Sequence, residues 1–113
     1  MAYKKLRVVA PSRRAAYREL AVSDLDSAVR WYARETGART AERFIDAAGQ
    51  AEVTALEFPG LGSTRFASLV KPFELRALPL QGFPYLYFYL SDDTGIDVIR
   101  VLHGAQDIPE HLR

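Results

Sequence analysis

The hydrophobic pattern divides the chain into a helical first half and a strand-rich second half. Between Val22 and Tyr32, apolar side chains recur every three or four residues, which is the spacing of one helix face. Ser23 is a good N-cap and Gly37 a good C-terminal stop, so we predict a helix over residues 24–36. Its apolar face consists of Val22, Leu25, Ala28, Val29 and Tyr32.

A second amphipathic helix is predicted over residues 38–57, directly after the first. Proline cannot continue the helical hydrogen-bond ladder, so Phe58-Pro59-Gly60 ends it. Because only Gly37 separates the two segments, we predict an antiparallel helical hairpin. The apolar face of the second helix consists of Ala41, Phe44, Ile45, Ala48, Ala51, Ala55 and Leu56.

After Gly62 the apolar side chains alternate with a period of two, which predicts strands. The turn-rich loop 91–95 is short, so the last two strands should form an antiparallel hairpin. Pro79 indicates that its strand is either exposed on one side or bulged at that position. The order of elements predicts an α+β fold, in which the helical hairpin packs on one face of a mainly antiparallel sheet of three to five strands. The predicted strands are Arg65–Val70, Glu74–Leu80, Tyr85–Leu90 and Ile96–His103.

The last predicted strand carries apolar side chains on both of its sides. This pattern is typical of a central strand that is covered on both faces. Arg100 lies in the middle of this strand and needs partners, because an unpaired buried guanidinium costs several kcal/mol in order of magnitude. His103 lies at the strand end and is either a hydrogen-bonded structural residue or a general acid or base. Asp107 is the only nearby candidate partner for acid–base chemistry.

Tyrosines alternate with leucine and phenylalanine along residues 85–90. We expect the Leu/Phe side to cover the helices and the tyrosine side to face away, together with Arg76 and Arg100. Such a surface can stack bases and grip phosphates, or it can seat a partner peptide. The alternatives are a packing cluster without a ligand and a catalytic surface. The tyrosine side carries Tyr85, Tyr87 and Tyr89, and the other side carries Leu86, Phe88 and Leu90.

Composition places the chain among single globular domains. It has 113 residues, 49% of them hydrophobic and 26% charged. The absence of cysteine excludes a disulfide framework and a thiolate metal site. Two histidines without metal-ligand spacing predict no metal, and we expect no cofactor. No apolar run approaches the ~20 residues of a membrane span and no signal peptide is recognisable, so we expect a cytoplasmic protein without membrane contact.

Charge is concentrated at the N-terminus, although the formal net charge of the chain is only +1. Residues 1–20 hold six Lys or Arg residues and one Glu, so we describe them as a basic arm before a single domain over residues 21–113. Such an arm can bind nucleic acid or an acidic partner, or it can simply be a solvated terminus. The first strand falls either at Leu6–Ala10 or near residues 17–21. Trp31 lies off the apolar stripe of its helix and is either packed on a neighbouring element or exposed for a partner.

Several short fragments occur in a specific order along the chain. They are Asp24-Leu25 with Trp31-Tyr32, residues 41–46, residues 57–62, Leu75-Arg76, residues 83–89 and residues 100–108. In this order and spacing they resemble the ParE/RelE toxin family of type II toxin–antitoxin systems, in particular its ParE, or plasmid stabilisation, branch. The resemblance covers about residues 21–112.

The resemblance implies a small toxin that causes growth arrest and is neutralised by a cognate ParD-like antitoxin encoded by the adjacent gene. For the ParE branch it implies inhibition of DNA gyrase, and for the RelE branch cleavage of mRNA on the ribosome. Ribosome-dependent cleavage needs several cations and a group that activates the 2′-hydroxyl, and the chain around Arg76 offers only Lys71 besides. We therefore expect a gyrase inhibitor rather than an enzyme, although direct nucleic-acid binding stays open.

The candidate residues follow from these two alternatives. As a nuclease, the protein would use Arg76, Tyr87, Arg100 and His103. Gln106 stands where the family usually has arginine, which leaves a second alternative: a non-toxic, degenerate module that binds antitoxin. For binding of the target or the antitoxin, the candidates are Trp31, Arg76, Tyr87, Tyr89, Arg100, His103 and Asp107.

Overall fold

The computed structural model describes residues 13–70 and 73–112. Two short 3-10 turns, Pro59–Leu61 and Ala67–Leu69, lie between the second helix and the second strand. The predicted strand Leu6–Ala10 lies outside the described residues. The helices and strands are β1 (Arg14–Tyr17), α1 (Glu19–Thr36), α2 (Ala38–Glu57), β2 (Arg76–Pro79), β3 (Tyr85–Asp92), β4 (Gly95–His103) and α3 (Ile108–Leu112).

The strands form one four-stranded sheet in the order β1-β4-β3-β2. Strand β1 pairs with β4 in parallel, whereas β3 pairs with both β4 and β2 in antiparallel fashion. The predicted α+β fold is confirmed, as is the central position of β4. Strand β2 lies at an edge of the sheet, and its Pro79 is exposed. An edge position suits proline, because proline has no backbone N–H to donate to a neighbouring strand.

Helix α1 begins five residues earlier than predicted, at Glu19. The predicted N-cap Ser23 is wrong: Arg18 holds that position without a side-chain cap, and its backbone N–H donates to the Val98 carbonyl of β4 (3.0 Å). The chain therefore enters the helix directly from the sheet, and this constraint overrides the local capping signal. The stop at Gly37 is confirmed, because this residue has φ 101° and donates its N–H to the Tyr32 carbonyl.

Small side chains let the two helices and the sheet approach closely. Tyr32 and Phe44, whose rings stack 5.4 Å apart, share one core with six buried alanines of α1 and α2. These are Ala21, Ala28, Ala41, Ala48, Ala51 and Ala55. Two residues of the predicted apolar faces, Val22 and Ile45, are instead about half exposed. A helical hairpin on a sheet buries only the sides that face the sheet and the partner helix, and these two side chains lie on the outer side.

The expected orientation of the tyrosine side is wrong. Tyr87 and Tyr89 are fully buried in the core shared with the helices, and Tyr85 packs against that core. Large aromatic rings fill the space that the alanine-rich helices leave, and the tyrosine hydroxyls find partners there. The Leu/Phe side of β3 faces a second core, which is closed by the chain around Phe66 and by α3.

The predicted strand Arg65–Val70 is also wrong, because it contains the 3-10 turn Ala67–Leu69. Its apolar residues pack on the second core instead of extending the sheet, and Phe66 lies edge-on to Phe88 at 5.3 Å. None of the helices in the described part of the chain has the length and hydropathy to span a membrane.

Candidate functional site

A β-bulge in β4 positions Arg100. Opposite Phe88 and Tyr89 the register of β4 shifts between Val98 and Arg100, so one extra residue is inserted. The bulge lets both Val98 and Val101 face the helices, while Ile99 reaches the second core. Arg100 is therefore directed along the side of the sheet toward the first turns of α1.

Arg100 and Asp24 form a two-pronged ion pair. The Arg100 Nε lies 2.7 Å from Asp24 Oδ2, and Nη2 lies 2.8 Å from Oδ1. Asp24 also accepts the Val101 backbone N–H at 2.9 Å, and Arg100 Nη1 donates to the His111 carbonyl of α3 at 2.9 Å. Both side chains are only 14% exposed. The prediction that Arg100 needs a partner is confirmed, and the hydrogen bond with Asp24 raises the pKa of Arg100 above its ordinary value.

Beside this ion pair lies a groove of about 390 Å³, which we call the Trp31 groove. Trp31 is 47% exposed, and its ring meets Tyr32 edge-on at 5.1 Å. One part of the indole is thus packed and the rest faces the groove. The groove is lined by Asp24, Ser27, Ala28, Trp31, Tyr85, Val101, His103 and Gln106.

His103 organises the chain after β4. The ring Nδ1 of His103 accepts the Ala105 backbone N–H (2.9 Å), and the backbone N–H of His103 donates to Gln106 Oε1 (2.7 Å). Its ring lies edge-on to Tyr85 at 5.1 Å. Of the hydrogen bonds among the described residues, none joins His103 to Asp107, whose carbonyl instead contacts the His111 ring at 2.8 Å. The arrangement matches the structural alternative for His103.

Tyr87 lies in a chain of hydrogen-bonded side chains that is partly buried. Its hydroxyl is 2.7 Å from that of Tyr17, which donates to Glu52 Oε1 at 2.6 Å. Since Tyr17 has one hydroxyl proton, Tyr87 is the donor between the two phenols. Burial raises the pKa of both tyrosines far above the ordinary value, so both phenols are neutral at physiological pH.

Arg76 and Tyr89 hold the turn that follows α2, which we call the 58–62 turn. The Arg76 Nη1 donates to the carbonyls of Gly60 (2.9 Å) and Gly62 (2.8 Å), and its Nη2 pairs with Glu74. The Tyr89 hydroxyl donates to the Pro59 carbonyl (2.7 Å) and accepts the Gly62 N–H (3.2 Å). A Cβ at Gly62 would lie 2.6 Å from the Tyr89 oxygen, so only glycine fits there without a shift.

The predicted site residues therefore fall into four places instead of one surface. Trp31 and His103 share the Trp31 groove beside Arg100, Arg76 meets Tyr89 at the 58–62 turn, and Tyr87 is buried. Asp107 is exposed in the chain before α3. Within residues 13–70 and 73–112, no group of three or more His, Asp or Glu residues is placed to hold a metal ion.

Sequence reasoning missed several residues that build these places. Asp24 occurs in the sequence only as part of one family-like fragment, and its partner Arg100 lies 76 positions later. The need of Arg100 for a carboxylate was the available signal, but it did not distinguish among the acidic residues. Tyr17 and Gly62 had no such signal, because each is identified only by its contact with β3. Glu52 is identified only by its contact with Tyr17.

Comparison with known proteins agrees with this architecture. A chain of the chromosomal ParDE TA system from P. aeruginosa superposes with a TM-score of 0.66 at 17% identity, over 81% of this chain and 96% of that one. At this identity the likeness describes the fold. Among curated proteins, no sequence matches significantly. The family model of the ParE toxin of the type II toxin–antitoxin system parDE matches residues 16–108, and the chain therefore belongs to the ParE toxin family.

Proposed function

We propose that the protein is a toxin that binds and inhibits DNA gyrase and that a cognate antitoxin holds it inactive. Membership of the ParE toxin family supports the toxin class. The observation that carries the choice of mechanism is that the side chains required by a nuclease are committed to internal contacts. Inhibition by binding needs a shaped protein surface and no catalytic group.

Cleavage of mRNA needs free cations around the scissile phosphate and a group that activates the 2′-hydroxyl. Here the Arg76 guanidinium binds two backbone carbonyls, and that of Arg100 binds Asp24 and the chain of α3. Tyr87 is fully buried with a raised pKa, which disfavours it as a base. The Nδ1 of His103 already accepts a backbone N–H. These contacts favour a binding mechanism over a RelE-like one.

We propose that the Trp31 groove is the binding site of the antitoxin. Half-exposed tryptophans beside a rigid framework are frequent anchors of protein interfaces. The Asp24–Arg100 pair and the Tyr85–His103 contact fix the groove behind Trp31. An antitoxin segment that buries the open part of the indole would gain apolar contact without rearranging the toxin.

Replacement of Trp31 tests this proposed binding site. Trp31→Ala should weaken antitoxin binding about 30-fold or more, the loss typical of an interface anchor worth about 2 kcal/mol. Isothermal titration calorimetry with purified antitoxin measures it. Val53→Ala is the matched control, because Val53 is similarly exposed on α2 and does not line the groove. Unchanged affinity in Trp31→Ala would remove Trp31 from the interface.

A supercoiling assay tests the proposed target. Purified protein, titrated through micromolar concentrations, should block supercoiling of relaxed plasmid by gyrase.

Primer extension on translated transcripts should show intact mRNA, whereas cleavage within codons would overturn the proposal in favour of a ribosome-dependent nuclease. Tight antitoxin binding without growth arrest or gyrase inhibition would point to the non-toxic module. Gln106 bears on that outcome, because its side chain is already bound to the His103 N–H.

A further inference from the structure

The Trp31 groove presents hydrogen-bond donors to whatever enters it. Its lining includes the hydroxyls of Tyr85 and Ser27 and the imidazole of His103. Neither hydroxyl, nor the Nε2 of His103, has a hydrogen-bond partner among the residues that the structure describes. In that part of the chain the only buried side-chain nitrogen or oxygen without a partner is Arg13 Nε, so these three groups are open to solvent.

The contact of His103 with the chain after β4 fixes where its ring carries a proton. Nδ1 accepts the Ala105 backbone N–H at 2.9 Å, and a ring nitrogen that accepts such a bond carries no proton. The ring is therefore neutral with its proton on Nε2, which makes the Nε2–H a donor.

Tyr85 supplies a second donor beside the first. It pairs with His103 across β3 and β4, and the two rings lie edge-on at 5.1 Å. Burial raises the pKa of Tyr85, and the nearby Tyr32 and Asp24 raise it further, so the phenol is neutral at physiological pH. A neutral phenol and a neutral imidazole N–H thus stand side by side on one wall of the groove.

The charges around the groove disfavour an ionised acceptor. Of its lining residues only Asp24 is charged, and this carboxylate already pairs with Arg100. Arg100 does not line the groove, and its guanidinium also binds the His111 carbonyl. A carboxylate from a partner would lose its hydration close to Asp24 without meeting a free cation, which is costly. The groove therefore suits an uncharged acceptor.

We propose that the antitoxin crosses the Trp31 groove as an extended segment, whose backbone carbonyls accept hydrogen bonds from the Tyr85 hydroxyl and the His103 Nε2–H. This inference rests on the proposed function, since the antitoxin is taken to bind this groove. Carbonyls inside a helix are already bonded to an N–H four residues along, whereas those of an extended chain are free. Successive side chains of an extended chain point to opposite sides, so an apolar one can cover the open part of Trp31.

The first test removes one donor at a time and measures affinity for the purified antitoxin by calorimetry. Tyr85→Phe deletes only the hydroxyl, and His103→Asn deletes the Nε2–H but keeps an oxygen that can accept the Ala105 N–H. Each should weaken binding about three- to tenfold, the loss typical of a neutral hydrogen bond. Tyr32→Phe is the matched control and should bind like the parent protein, because Tyr32 packs against Tyr85 at 6.3 Å without lining the groove.

Urea midpoints show whether each variant is folded. If Trp31→Ala weakens binding but a folded Tyr85→Phe protein binds like the parent, the inference is overturned and the proposed antitoxin site stands. Equal losses in Tyr85→Phe and Tyr32→Phe also overturn the inference. If the parent does not bind the antitoxin, the proposed site and the inference fall together.

Alanine scanning of the antitoxin distinguishes a backbone acceptor from a side-chain acceptor. Each polar side chain of its toxin-binding segment is replaced in turn, and each variant is titrated against the parent toxin and against Tyr85→Phe. A backbone carbonyl remains in every variant, so the loss caused by Tyr85→Phe should persist throughout the scan. Disappearance of that loss in one antitoxin variant would assign the acceptor to that side chain and overturn the inference.

Nuclear magnetic resonance of the His103 ring gives a readout that does not depend on affinity. The free toxin should carry the ring proton on Nε2, and this proton should exchange with solvent more slowly once the antitoxin is bound. A proton on Nδ1 in the free toxin, or an exchange rate that the antitoxin leaves unchanged, would contradict the proposed contact.

Discussion

The ion pair between Asp24 and Arg100 offers the sharpest test of how this fold is held together. Asp24→Ala removes both carboxylate contacts of a guanidinium that is 14% exposed, and it also removes the acceptor of the Val101 N–H. Breaking one side of a buried pair costs about 3–5 kcal/mol. Arg100 keeps its bond to the His111 carbonyl, so we expect a loss near 3 kcal/mol, about the lower limit of that range.

Asp26→Ala is the control for this substitution. Asp26 lies on the same helix and also pairs with an arginine, Arg30, but the two side chains are 57% and 74% exposed. Exposed pairs at this spacing contribute about 0.3–0.5 kcal/mol. The two variants therefore differ mainly in the burial of the charge that is left behind.

Urea unfolding followed by circular dichroism measures the difference. With a slope of ~1–3 kcal/mol per molar urea, Asp24→Ala should lower the midpoint by roughly 1–3 M and Asp26→Ala by at most about 0.5 M. Asp24→Asn, which keeps an acceptor for the Val101 N–H, should fall between them. Coincident midpoints for Asp24→Ala and Asp26→Ala would refute the reasoning that Asp24 compensates a buried charge.

Two further predictions concern the 58–62 turn and the buried phenols. Gly62→Ala should lose about 1–3 kcal/mol of stability, because its Cβ would lie 2.6 Å from the Tyr89 oxygen. Gly60→Ala, with no heavy atom within 4 Å of the new Cβ, should be neutral or more stable by up to about 1 kcal/mol, and equal thermal midpoints would contradict this difference. The raised pKa of Tyr17 and of Tyr87 means that their contribution to stability is complete below pH 10, where unfolded tyrosine titrates, and is lost as the pH rises further. A Tyr17→Phe/Tyr87→Phe protein should therefore show a smaller fall in urea midpoint between about pH 9 and pH 11 than the parent, and an identical fall would count against the buried network.

The helical hairpin and the central strand were predictable because their signals are local. Gly37 and Pro59 stop helices through their own backbone chemistry, wherever the chain goes next. The apolar residues on both sides of β4 require two covers, and the structure has the helices on one side and α3 with the chain around Phe66 on the other.

The orientation of β3 was not predictable from its alternation. A period of two defines two sides but does not say which one meets the helices. Tyrosine is amphipathic, so Tyr87 and Tyr89 suit a buried side only when their hydroxyls find acceptors. Those acceptors come from Tyr17 and Pro59, which lie 70 and 30 positions away in the chain.

The predicted site residues lie in separate places for a related reason. The charge of Arg76 and Arg100 is evident from the sequence, but charge alone does not show whether a guanidinium binds a ligand or the protein itself. Arg76 binds backbone carbonyls, which have no signature in the sequence, and Arg100 binds a distant carboxylate. Trp31 kept an open surface because its position off the apolar stripe places it at the side of the hairpin.

The central claim is that the protein acts by binding gyrase and carries out no chemistry of its own. Its most direct test is the supercoiling of relaxed plasmid by purified gyrase while the protein is titrated through micromolar concentrations, with and without its antitoxin. We predict a dose-dependent loss of supercoiled product that added antitoxin reverses. Full supercoiling across the whole titration, with a folded protein that still binds its antitoxin, would contradict the claim.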